Sequence, residues 1–135
     1  MVVHLDTSFL VDVIRESRRR VTGPARSWLA ANSLTELAVS VPVLCELLVG
    51  AELHANPEEE GRRVRKVCAG LPIVQINEKV PAVYARTAAP LISSGERLAT
   101  MDLLIASIAL SVGAAVITSN ADHFERIPGL KVIRY

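Results

Sequence analysis

A chain of 135 residues, half of them apolar, with 4% aromatic and 21% charged residues, has the usual size of one domain and can bury a core without staples. That composition excludes disorder and fibrous repeats, and no apolar run reaches the ~20 residues of a membrane-spanning helix. The net charge of +1, from 15 Lys and Arg against 14 Asp and Glu, neither favours nor excludes a polyanionic partner.

Val2 to Leu5 reads as a short apolar strand. It ends at Asp6-Thr7-Ser8, small polar residues able to cap a helix from Phe9 to Arg15. Basic residues and Gly23-Pro24 follow, and Pro24 suits the first turn of a helix through Ala31. Leu37 to Val41 is a second strand. Pro42 opens a helix through Val49 in which Glu46 is the only charge among apolar residues. Asn56-Pro57 interrupts, and Glu58-Glu59-Glu60 before Arg62-Arg63 sets acid and base four residues apart on a further helix reaching Ala69.

Ile73 to Ile76 is a third strand, and Asn77 can cap a helix running toward Leu91. The next helix spans about Ala99 to Val112, carries Asp102 as its one acid and stops near Gly113. Ala114 to Thr118 is a fourth strand, Ser119 to Asp122 a polar turn, and Lys131 to Tyr135 a final short strand. Continuously apolar strands alternating with helices predict a three-layer α/β/α sandwich, with a mainly parallel sheet of four or five strands in one domain covering residues 1–135.

Ligands of such sheets bind at the carboxyl ends of the strands, where Asp6 and the turn at Asn120 and Asp122 are expected to fall. Ionised Glu46 and Asp102 among Leu, Val and Ile are costly unless a cation or good donor compensates them. The plainer roles are helix caps for Asp6 and Asp102 and a half-exposed surface position for Glu46. Carboxylates without a His or Cys set select hard cations, so Mg²⁺, or Mn²⁺, is the expected metal, and phosphodiester hydrolysis is chemistry it supports. Thr7 and Ser8 are available to support Asp6 or to cap the helix. His4, His54 and His123 are set aside as acid-base groups, although His123 adjoins the polar turn. The seven scattered glycines make no phosphate loop.

Cys45 and Cys68 have no partner at metal-ligand spacing and are expected to be buried free thiols. With Asp6 too early to allow an export-signal core, a cytoplasmic setting is expected. Arginine outnumbers lysine twelve to three. It clusters at Arg18-Arg19-Arg20 and at Arg62-Arg63-Val64-Arg65-Lys66, which suits phosphate contacts and a solvated helix face equally.

Leu5-Asp6-Thr7-Ser8-Phe9-Leu10, Val43 to Gly50 around Glu46, Asp102-Leu103-Leu104-Ile105-Ala106 and Ile117-Thr118-Ser119-Asn120 together resemble the PIN domain, and within it the VapC-type toxins, over essentially the whole chain. That resemblance implies a Mg²⁺-dependent endoribonuclease acting on structured RNA such as transfer or ribosomal RNA. It also implies pairing with a small antitoxin and a homodimer or toxin-antitoxin hetero-oligomer. Asp6 and Asp102 match the metal-binding pair and Glu46 the acid that completes the cluster. Many members have a further acid where Asn120 stands here, so Asn120 and Asp122 are both candidates for the fourth position. A phosphatase of the haloacid-dehalogenase kind would want Asp at Ser8, and a receiver domain would want one near Ile76-Asn77. The non-enzymatic rival is a PIN-like protein-interaction module whose carboxylates pair with a basic peptide.

Overall fold

The computed structural model describes all residues from 1 to 135. In chain order the elements are β1 (Val2–Leu5), α1 (Thr7–Arg18), α2 (Pro24–Ala31), β2 (Glu36–Ser40), α3 (Val41–Glu52), α4 (Pro57–Cys68), β3 (Ile73–Val74), α5 (Val80–Ser93), α6 (Thr100–Ser111), β4 (Ala115–Ile117), α7 (Ala121–Phe124) and β5 (Val132–Ile133). The strands form one five-stranded sheet in the order β3-β2-β1-β4-β5, with every pair parallel. The predicted three-layer α/β architecture is present.

The chain steps outward from β1 to β2 to β3, then returns to the other side of β1 for β4 and β5. Right-handed crossovers therefore put α1 to α4 on one face of the sheet and α5 to α7 on the other. The reversal of direction opens a crevice at the carboxyl ends of β1 and β4, the place where open α/β sheets bind ligands.

Phe9, Leu10, Val39, Val43, Ile105, Val116, Ile117 and Phe124 anchor the core, each no more than 1% exposed. In α3 the inward positions are Val43, Leu47 and Ala51, spaced four apart, so Cys45 falls on the opposite face. Cys45 is accordingly exposed, contrary to the sequence expectation, whereas Cys68 is buried as expected. Pro42 sits in the first turn of α3, where its missing N–H costs no helical hydrogen bond.

Glu16 joins α1 to α2. It is 8% exposed, and its carboxylate accepts from the N–H groups of Gly23, Ala25 and Arg26 at 2.7, 3.1 and 3.0 Å. These N–H groups begin α2 and have no partner within the helix. A side chain at Gly23 would collide with Glu16, since a Cβ there would stand 2.6 Å from the Glu16 Cδ.

Further sequence expectations need adjustment, among them the final strand, expected over Lys131 to Tyr135, which covers only Val132 and Ile133. The third strand covers only Ile73 and Val74, because it is an edge strand with one partner. The turn after β4 winds into the short helix α7 with Asn120 at its N-cap. Gly113 ends the α6 segment with φ 67°, a left-handed conformation that favours glycine. No helix is long and apolar enough to cross a membrane.

Candidate active site

Asp6 leaves the end of β1 and occupies the N-cap position of α1, yet its side chain makes no capping bond. Its Oδ2 instead accepts from Thr118 Oγ1 at 2.7 Å and from Ser8 Oγ at 3.0 Å. Oδ1 takes no hydrogen bond from the protein. The residue is 3% exposed. The hydroxyls are themselves fixed, because the Ser119 N–H donates to Ser8 Oγ at 3.0 Å and the Asn120 N–H donates to Thr118 Oγ1 at 2.9 Å. The loop leaving β4 thus orients the carboxylate leaving β1.

Glu46, near the middle of α3, is half-buried and accepts from Thr7 Oγ1 at 2.6 Å. Thr7 and Ser8 each hold a carboxylate from the first turn of α1, and neither acts as a helix cap.

Asp102 lies in the first turn of α6, whose N-cap is Ala99, so it is not the capping residue. Its side chain is 22% exposed. Burial raises its pKa above the ordinary carboxylate range, and the negative charges of Asp6 and then Glu46 push it the same way, while His123 opposes them. Three acids from positions 6, 46 and 102 therefore share one electrostatic environment. None of them is ion-paired with an Arg or Lys; the nearest cationic candidate is His123, with Nδ1 3.9 Å from Asp102 Oδ2.

The two candidates for a fourth position have different surroundings. Asn120 is exposed and makes no side-chain cap; its backbone is its link to the Asp6 network. The Asp122 side chain is 85% exposed and bonded to Arg134 at 2.7 Å, and Arg134 also holds Glu125 at 2.8 Å. This bonding to Arg134 lowers the Asp122 pKa. Asp122 thus has its cation outside the three-acid cluster, and His123 is the residue of α7 that stands beside it. The signal available in the sequence was position: in a one-turn helix with Phe124 buried, neighbouring residues face different ways.

The donor set is one that a hard cation prefers: carboxylates supported by hydroxyls, with oxygens left free of protein donors. No three of the chain's acidic, His and Cys side chains converge closely enough to form a preassembled ligand set. A Mg²⁺ ion that keeps several waters and takes one or two carboxylates directly does not require such convergence. Asp6, Asp102 and Glu46 are the residues that fit it.

The parallel sheet, the switch-point crevice and these acids define a class: the chain belongs to the PIN-domain family, whose model matches residues 3–130. It is 29% identical over 131 residues to ribonuclease VapC1 of Haemophilus influenzae (strain R2866), covering 97% of this chain and 96% of that protein. It is 30% identical over 98 residues to the tRNA(fMet)-specific endonuclease VapC of Salmonella typhimurium, covering 73% of this chain and 74% of that one. Among solved structures, VapBC2 from Rickettsia felis, bound to a DNA fragment from their promoter, superposes with a TM-score of 0.87 at 27% identity, over 100% of this chain and 99% of that one.

Proposed function

We propose that this chain is a metal-dependent endoribonuclease, the toxin of a toxin-antitoxin pair, with Mg²⁺ or Mn²⁺ held by Asp6, Asp102 and Glu46. The observation that carries the reading is that Asp6, fixed at the carboxyl end of β1 by Ser8 and Thr118 with Oδ1 free, is accompanied by Glu46 of α3 and Asp102 of α6, acids whose charges act on one another and none of which is paired with an Arg or Lys. Mutual repulsion in a half-buried crevice is costly unless a cation occupies it. The names of the relatives, ribonuclease and tRNA endonuclease, support RNA as the substrate, and the VapBC2 assembly supports a partner protein.

When bound, the metal would supply a more acidic water and neutralise charge developing on a phosphoryl oxygen. The residues of the chain do the positioning. Thr118 and Ser8 fix Asp6 through Oδ2 and leave Oδ1 for the ion, while Thr7 fixes Glu46 through Oε1. His123 is more than half exposed, with Nδ1 3.9 Å from Asp102 Oδ2, and its ring N–H can donate to a substrate phosphate. No serine or cysteine is placed as a covalent nucleophile.

The test is incubation of purified protein with a pool of cellular RNA, including transfer RNA, in Mg²⁺, Mn²⁺ or EDTA. Discrete fragments that require the metal and vanish in Asp6→Asn and Asp102→Asn are the expected result. Cleavage that persists in EDTA or in both variants would overturn the assignment.

A further inference from the structure

The two basic runs of the sequence, 42 residues apart at Arg18-Arg19-Arg20 and at Arg62 to Lys66, come together in the fold. Arg18 ends α1 and Arg63 and Lys66 lie on α4, and the three line one open hollow of about 460 Å³ whose remaining lining includes Ile14, Ser17 and Val67. A second hollow, of about 200 Å³, shares Ile14 and Arg18 with the first and continues past Arg15 and His54 to Glu46. Arg18 is thus common to the basic α1–α4 hollow and to a mixed hollow, lined also by Val11, Leu47, Val64 and Glu60, that reaches Glu46 of the acidic site. Measured along α1 from Thr7, which holds Glu46, to Arg18, the separation is about 16 Å at 1.5 Å per residue.

Part of this charge is already engaged. Arg63 pairs with Glu59 at 2.7 Å and Glu60 at 3.9 Å, and Arg18 reaches Glu60 at 3.7 Å. The Glu59 pair is solvent-accessible and weak, whereas Glu60 is largely buried and lies 3.7 and 3.9 Å from the two arginines, so each guanidinium keeps N–H groups free for the bidentate contact that Arg makes with phosphate. Lys66 and the neighbouring Arg19, Arg20, Arg62 and Arg65 form no ion pair and are exposed. No acid lines the α1–α4 hollow itself, whose six lining residues include the cations Arg18, Arg63 and Lys66; Glu60 and Glu46 line the adjoining one.

We infer that the α1–α4 hollow, through Arg18, Arg63 and Lys66, is a subsite for the phosphate backbone of RNA flanking the bond to be cut. The inference rests on the ribonuclease reading for its substrate. Charge favours this occupant, and Arg18 adjoins the hollow that reaches Glu46: a polyanion whose scissile phosphate lies among the acids needs neutralising contacts a few nucleotides away. Phosphate contacts of this kind position a strand and carry no base sequence.

The test is equilibrium binding of a fluorescent single-stranded RNA and of transfer RNA to the full chain in EDTA, across a salt series. The triple variant Arg18→Gln/Arg63→Gln/Lys66→Gln is compared with a control of equal charge change on other faces, Lys79→Gln/Arg86→Gln/Lys131→Gln, and both are checked for parental thermal unfolding. The expected result is roughly tenfold weaker binding by the first variant alone, with the slope of log K against log salt reduced by about 2. Equal binding by the two variants would overturn the subsite. So would retained RNA binding with selective loss of a polyglutamate peptide, which would make this face a dock for an acidic protein segment. If the parent binds RNA through this face in EDTA and cuts none once Mg²⁺ or Mn²⁺ is restored, the nuclease reading fails and the face stands as an RNA-backbone site alone; if the triple variant binds in EDTA and cuts with the metal like the parent, the subsite fails and the nuclease reading stands.

Discussion

Thr118 Oγ1 donates to Asp6 Oδ2 at 2.7 Å in a buried bond between residues 112 positions apart. It ties the carboxyl end of β4 to that of β1, so the crevice produced by the sheet's reversal is fixed by side chains as well as by strand pairing. Thr118→Val keeps the shape and removes the donor. The expected loss of stability is about 1–3 kcal/mol, the range for withdrawing a buried partner from a charged group, with a matching fall in RNA cleavage. Urea unfolding and cleavage rates check the two effects; parental values for both would mean that Ser8 alone positions Asp6.

Asp102 gives a pH dependence. The folded chain holds this proton at pH values where the unfolded chain has released it, because burial and then Asp6 and Glu46 raise its pKa. The stability it confers is fully present below the ordinary carboxylate range and is lost as pH rises through the raised value. Asp102→Asn removes that loss. In metal-free buffer its urea midpoint should exceed the parent's at neutral pH and converge with it in acid, while its RNA cleavage disappears. A variant less stable than the parent at neutral pH would count against repulsion among the three acids.

Glu16 is a second buried acid with a different task, since backbone N–H groups already satisfy it. Glu16→Ala strands these donors and is expected to cost about 2–4 kcal/mol. Gly23→Ala should be destabilising by collision with the same carboxylate. Thermal unfolding measures both. Metal binding by the folded fraction should be unaffected, because neither residue contacts the crevice acids.

The alternation of apolar strands and helices was legible from local pattern, as were Asp6, Glu46 and Asp102, because a lone charge in an apolar run stands out in a linear reading. What escaped depends on contacts between distant segments. Glu16 looks like any helix glutamate until Gly23 and Pro24 fold back over it. Cys45 differs from its buried neighbours only by its place on the helix circumference. Asp122 and His123 are adjacent in sequence, and only the pairing of Arg134 with Asp122 and Glu125 reveals that the acid is held elsewhere while the imidazole adjoins the crevice.

That distinction is testable. Asp122→Asn is expected to leave RNA cleavage at the parental rate, since its carboxylate is exposed and already paired. His123→Ala should lower it, and His123→Gln, which retains an N–H donor, should recover part of the loss. Loss of cleavage in Asp122→Asn with none in His123→Ala would reverse the two assignments.

Asp6, Glu46 and Asp102 are proposed to act as one metal site, and the most direct test is calorimetric titration of Mn²⁺ into the RNA-free chain and into Asp6→Asn, Glu46→Gln and Asp102→Asn. Saturable binding by the parent, weakened by roughly tenfold or more in each variant, is the expected result. Parental affinity in all three variants, or no binding by the parent, would contradict it.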